Sequence, residues 1–116
     1  MKKLQTLPNS QHFRKVYDQG RNFHTPLFSA FFLNVETDER RVGITVTRKI
    51  GNAVVRNRCK RRLREILRKQ LSDAESPLGF DLVINARSAL VKAGFSKIEE
   101  AVAKALRWYA DSVSKQ

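Results

Sequence analysis

Ten lysine and arginine side chains fall between residues 48 and 69, and Glu65 is the one acidic side chain among them. Guanidinium forks at this density suit phosphate: each planar head offers paired N–H donors to two anionic oxygens, and neighbouring heads raise the potential that draws a polyanion in. Ten positive charges against one leave this segment +9 of the chain's +12, so the excess is local rather than a general solubility charge. Phe13, Tyr17 and Phe31 add flat rings on which unpaired bases could stack, each contact contributing about 1–3 kcal/mol. Acid–base hydrolysis is poorly provided for, since it wants two tuned groups beside a phosphate-binding cation. The histidines are His12 and His24, while Asp38 with Glu39 reads as a turn and Glu99 with Glu100 as a helix start. No carboxylate set has metal-ligand spacing, and Cys59 alone excludes an intrachain disulfide and a cysteine-based zinc site. The expectation is a binder with no catalytic residue and no metal site of its own.

The basic residues need a helix to align them. Asn52 is the N-cap of a helix from 53 to about 71, roughly 30 Å long. At about 100° per residue Val55, Cys59, Leu63, Ile66 and Leu67 form one apolar stripe, with Asn57, Arg61, Arg64 and Arg68 opposite it and Lys60 and Arg58 on the flanks. Arg56 projects on the apolar side, where it must snorkel or lie in an irregular first turn. Only Glu65 offsets the repulsion along this helix, which implies a polyanion partner rather than a merely solvated face.

The rings need a groove. Asn9 or Ser10 caps a helix over 10–19 that places Phe13, Val16 and Tyr17 on one face, and Gly20 stands where a left-handed residue would end it. Residues 27–36 read as a strand with Phe28, Ala30 and Phe32 on one face and Ser29, Phe31 and Leu33 on the other, covered on both sides. An acidic turn at 37–39 leads to a strand at 41–47, paired back on the first as a hairpin. Ser76, Pro77 and Gly79 mark a loop, 80–86 a strand with Leu82, Val83 and Ile84 in succession, and 88–94 a short turn or helical piece. Ser96 and Glu99 form a capping box for a last helix with Ile98, Val102, Ala105, Leu106 and Tyr109 inward. Phe28 and Phe32 already serve the core, so Phe31 is left to the first helix, and the space between that helix and the sheet is the groove.

With 116 residues, 41% of them hydrophobic, the chain makes one domain over 1–116 with a modest core and no room for a second large unit. A pI near 10.6 points to phosphate or an acidic surface. The longest apolar run, 27–33, is too short to span a bilayer, and the first eight residues hold no export-type apolar stretch. The expectation is a soluble, cytoplasmic, monomeric protein with no membrane partner.

Arg56-Asn57-Arg58 followed by Lys60-Arg61 and Arg64, entered through Arg48-Lys49-Ile50-Gly51-Asn52-Ala53-Val54-Val55, resembles the signature of the protein subunits of bacterial ribonuclease P. Phe13, Val16 and Gly20 match the spacing of that family's first helix, and Arg41-Val42-Gly43-Ile44-Thr45-Val46 leads into the motif as it does there. The resemblance covers about residues 7–110. It implies an α+β fold, a two-layer α/β sandwich like domain 2 of ribosomal protein S5. The sheet would be mixed and four-stranded with three helices, and the basic helix would make a left-handed βαβ crossover. It further implies endonucleolytic removal of the 5′ leader from precursor tRNA, with a catalytic RNA subunit doing the chemistry, Mg²⁺ required by the RNA-containing holoenzyme, and no cofactor bound by the protein itself. Carried over by position, Lys49, Arg56, Asn57, Arg58, Lys60, Arg61, Arg64 and Arg68 would contact the catalytic RNA. Phe13, Tyr17 and Phe31 would line the cleft for the single-stranded leader. The family often has Tyr where this chain has Phe31, and an acidic residue where it has His12.

Two other classes fit the composition. A basic RNA-binding module such as a ribosomal protein would not raise precursor cleavage when mixed with the catalytic RNA. A protein-only nuclease built on His12 and His24 would lose all activity on alanine substitution of both.

Overall fold

The computed structural model describes residues 4–73 and 79–114. In chain order the elements are β1 (Gln5–Thr6), α1 (Ser10–Gln19), β2 (Arg21–His24), β3 (Phe28–Asn34), β4 (Arg40–Thr45), α2 (Ala53–Asp73), β5 (Phe80–Ala86), α3 (Ala89–Lys92) and α4 (Phe95–Ser114). The strands form one mixed sheet in the order β1-β4-β5-β3-β2. β4 runs parallel to β1 and to β5, and β3 runs antiparallel to β5 and to β2. The α+β class stands, but among the described residues the sheet has five strands rather than four and four helices accompany it rather than three. The two-residue β1 is too short to leave a periodic pattern, and α3 is the short turn or helical piece expected at 88–94. The loop expected at Ser76 and Pro77 lies outside the described residues.

The expected hairpin between 27–36 and 41–47 does not form, because β5 lies between β3 and β4. Five consecutive residues of β5, Phe80 to Ile84, are buried, so this strand needs neighbours on both edges and cover on both faces, which only the middle of a sheet supplies. The partner of β3 in a hairpin is instead β2, in a stretch that reads as a polar connection. A polar edge strand has only one residue, Phe23, turned toward the main core, and carries too little apolar alternation to declare itself. Thr25 fastens the turn: its Oγ1 accepts from the backbone N–H of Leu27 and Phe28 at 3.1 and 3.0 Å, and its own N–H donates to Phe28 O at 2.8 Å.

The main core fills one face of the sheet under α2, α3 and α4. Phe32 lies at its centre, stacked on Tyr109 with ring centroids 4.5 Å apart and 8° between planes, while Phe80 meets both rings edge-on at 5.6 Å. On the other face α1 lies alone, with Val16 buried against Val83 and with Phe13, Phe31 and Leu33 around them. Helices thus cover both faces of the sheet, so the expected two-layer sandwich is not what forms: α1, the sheet and the α2–α4 layer stack in three, as the apolar residues on both sides of 27–36 require.

Local signals hold in part. Asn9, not Ser10, caps α1, its Oδ1 accepting from His12 N–H at 3.2 Å. Gly20 is extended, with φ −81° and ψ 166°, rather than left-handed. Close approach is what demands glycine there, since a Cβ would sit 2.4 Å from Val16 O and 2.7 Å from Phe32 O. α4 begins one residue before the expected cap, and the Gly94 carbonyl accepts from Lys97 and Ile98 N–H at 3.1 and 3.2 Å, which leaves Ser96 inside the first turn.

Two arginines tie β4 into this frame. Arg40 is buried, donates from Nη1 to Leu71 O at 2.9 Å and lies over the Phe80 ring, so it holds the C-terminal part of α2 to the sheet. Desolvation lowers its pKa from the usual guanidinium value. Arg41 grips Asp81 in a fork, Nε to Oδ1 at 2.8 Å and Nη2 to Oδ2 at 2.9 Å, and that hydrogen bonding raises its pKa. The Asp81 side chain is 5% exposed, so Arg41→Ala strands a buried carboxylate. A loss of about 2 kcal/mol is expected, read as a lower urea midpoint at unchanged slope. An unmoved midpoint would mean the pair contributes nothing.

Candidate nucleic-acid interface

α2 starts as the sequence indicates. Asn52 Oδ1 accepts from Val55 N–H at 3.0 Å, and Arg56 N–H reaches Asn52 O at 2.9 Å, so the first turn is regular. Cys59, Leu63, Ile66, Leu67 and Leu71 are buried against the sheet, while Asn57, Arg61, Arg64 and Arg68 stand exposed on the opposite face. Successive members of that column lie about one helical turn, 5.4 Å, apart. Arg58 is exposed beside it, Lys60 is half-buried on the other flank, and Lys49 is exposed in the turn before the helix. Arg56 is half-buried in this regular first turn, and its Nε is shielded from solvent with no hydrogen-bond partner among the described residues. Arg62 serves the fold instead, donating from Nη2 to Ala93 O at 3.3 Å.

The aromatic cleft lies on the α1 face of the sheet. Strand register sets side chains there in rows: Phe31 beside Val83 and Gly43, and, one row on, His24 beside Ser29, Asn85 and Thr45. α1 crosses the first of these rows. The Phe13 ring is pressed onto Gly43, where a Cβ would come within 2.2 Å of its Cζ, and Gly20 closes against Phe32 at the other end. Tyr17 hangs over the edge of α1, 37% exposed, with its ring edge-on to Phe31 at 4.9 Å. The structure therefore brings Phe13, Tyr17 and Phe31 into one cluster, with Tyr17 presenting the most surface and Phe13 serving as part of its base.

The open row supplies polar groups that sequence reasoning missed. Tyr17 Oη donates to Asn85 Oδ1 at 2.7 Å, Arg87 Nη2 donates to Ser29 Oγ at 3.2 Å, and the same oxygen lies 2.7 Å from His24 Nδ1. Tyr17 thus brings a hydroxyl to this row from the helix. Asn85 could have been noticed as a polar residue inside an apolar strand, but its neighbours depend on the register of four strands. The row lies at the C-terminal ends of the parallel strands β4 and β5, and the chain leaving Thr45 runs through Lys49 into α2. The polar row and the first turn of α2 consequently lie toward the same end of the sheet on opposite faces, and α2 runs from there back to Arg40 at the start of β4.

The histidines do not form a pair. His12 shares Asn9 Oδ1 at 2.8 Å at the start of α1 and lines a cleft of about 580 Å³ with Lys15, Arg41 and Asp81, whereas His24 lies in the open row beyond Tyr17. Among the described residues no group of three or more His, Cys, Asp or Glu is placed to hold a metal ion. No described helix is long and apolar enough to cross a membrane.

Known proteins match this arrangement over nearly the whole chain. A family model described as Ribonuclease P matches residues 1–110. The ribonuclease P protein component of Lachnoclostridium phytofermentans is 38% identical over 98 residues, covering 84% of this chain and 83% of the relative. That of Clostridioides difficile is 34% identical over 96 residues, 83% of each. Among solved structures, the Staphylococcus aureus RNase P protein aligns with a TM-score of 0.79 at 28% identity, covering 90% of this chain and 94% of its own. The Thermotoga maritima RNase P protein aligns with a TM-score of 0.78 at 30% identity, covering 88% and 94%. An exposed basic helix, an aromatic cleft, a matching family model and matching folds agree: the chain belongs to the ribonuclease P protein family, the protein component of an endoribonuclease.

Proposed function

We propose that α2 docks this protein on the catalytic RNA of ribonuclease P while the cleft beside α1 holds the single-stranded 5′ leader of precursor tRNA. The observation that carries the proposal is the exposed Asn57, Arg61, Arg64 and Arg68 column, on a helix that starts from the sheet end where Tyr17 meets Asn85. Arginine forks on a helix suit phosphates of a folded RNA, and rings at the lip of a polar cleft suit unpaired bases, which a precursor has and a mature tRNA lacks. Arg56, Arg58, Lys60 and Lys49 extend the docking face, and Phe13 supports the ring pair from beneath.

In this reading the bond is broken on the RNA, with Mg²⁺ required by the holoenzyme. The chain's own residues bind, orient and neutralise phosphate charge, as a cytoplasmic monomer over 1–116. Reconstitution tests it. Added to the catalytic RNA at moderate Mg²⁺, the protein should raise kcat/KM for precursor tRNA and favour leader-bearing over leaderless RNA. Cleavage by the protein alone would overturn the assignment of the catalyst, and no stimulation would leave only a general RNA-binding module.

A further inference from the structure

We infer that Asn85 reads the leader base seated beside Phe31, and that the cleft favours a base with a keto oxygen on its exposed edge, guanine or uracil, over one with an amino group, adenine or cytosine. The inference rests on the leader-binding proposal above and adds a specificity to it.

A free asparagine amide offers an acceptor and a donor side by side, the pattern that matches adenine N6 and N7. Asn85 is not free. The Tyr17 hydroxyl donates to its Oδ1 at 2.7 Å, which engages the carbonyl and fixes which way the amide faces. That bond takes one of the two lone pairs on Oδ1 and leaves the Nδ2 amino group, which has no hydrogen-bond partner among the described residues, as the free donor of the amide. Its row neighbour Ser29 accepts at 3.2 Å from Arg87, whose guanidinium has donors and no acceptor. A donor-rich strip next to a stacking platform discriminates by what the stacked base presents. A keto oxygen completes a hydrogen bond, whereas an amino group faces the Asn85 amino group and leaves both unpaired. Tyr17 is a stacking residue and a positioning residue at once, since its ring contacts Phe31 and its hydroxyl sets the amide.

The test uses the reconstituted holoenzyme with precursors in which each leader nucleotide in turn is G, U, A or C, and the RNA-alone reaction as baseline. At one leader position the protein should add about a tenfold preference in kcat/KM for G and U over A and C. Asn85→Ala should flatten that preference. Asn85→Asp, of the same shape, should turn it toward A and C, because a carboxylate only accepts. Tyr17→Phe keeps the ring and should narrow the preference by letting the amide turn, an effect that a purely packing role for the hydroxyl would not produce. The inference is overturned if no position gains a base preference over the RNA-alone reaction, or if the preference survives Asn85→Ala. A holoenzyme indifferent to the presence of the leader would overturn the leader-binding proposal itself, a different result from leader dependence without base choice.

Discussion

Arg61→Ala combined with Arg64→Ala is expected to weaken binding of the catalytic RNA by about 100-fold. Each guanidinium removed from a phosphate forfeits a charge-assisted contact of about 1.5 kcal/mol, and about 1.4 kcal/mol is tenfold in affinity. Both side chains are exposed on the outer face of α2, away from the buried Leu63 and Ile66, so fold stability should hold or rise slightly as like charges are removed. The salt dependence carries the diagnosis. Two lost phosphate contacts should reduce the slope of log affinity against log salt by about 1.5 to 2, whereas loss of a non-ionic contact leaves it unaltered. Filter binding or fluorescence titration across a salt series measures both quantities. A weaker affinity with an unchanged slope would remove this helix face from the interface.

Phe32→Ala should destabilise the protein by about 4 kcal/mol, a large share of what holds a domain of this size together. Phe32 is 1% exposed and stands among Tyr109, Phe80 and Trp108, so truncation opens a cavity that three neighbouring rings cannot collapse to fill. Its sequence neighbour behaves oppositely. Phe31 is half-buried on the other face, against Tyr17, and Phe31→Ala should leave a folded protein whose preference for precursor over mature tRNA has dropped several-fold, the size of one lost stacking contact of about 1 kcal/mol. Urea denaturation separates the first effect and competitive RNA binding the second. If Phe31→Ala weakened both RNAs equally, the ring would be core, and if Phe32→Ala unfolded at the wild-type midpoint, the packing at the centre of the sheet would have been misassigned.

The contrast between Phe31 and Phe32 was legible before any fold was known, because strand alternation puts neighbours on opposite faces. The same holds for α2: helical periodicity separates Cys59, Leu63 and Ile66 from Arg61, Arg64 and Arg68, and burial follows that division. Asn52 as a cap follows from local backbone chemistry. Gly20 shows where local rules stop. A glycine after a helix suggests a left-handed terminator, but its need here comes from two crowding carbonyls, Val16 O of its own helix and Phe32 O of a strand distant in sequence.

What the sequence determined by itself is everything set within about two turns of helix or one strand: the charge stripe, the two-sided strand read at 27–36, and the motif that identifies the family. Strand order was decided only in three dimensions. The pairing of 27–36 with 41–47 looked economical along the chain, yet β5 had to enter between them because its run from Phe80 to Ile84 cannot be exposed on either edge or either face. Once it did, Asn85 came to lie beside Ser29 and Thr45 and under Tyr17, joining four elements far apart in sequence. Periodicity is a property of neighbours along the chain and reports which face is buried. Which strands adjoin depends on how the whole chain covers its most apolar strand, and the polar row of the cleft exists only after that competition is settled.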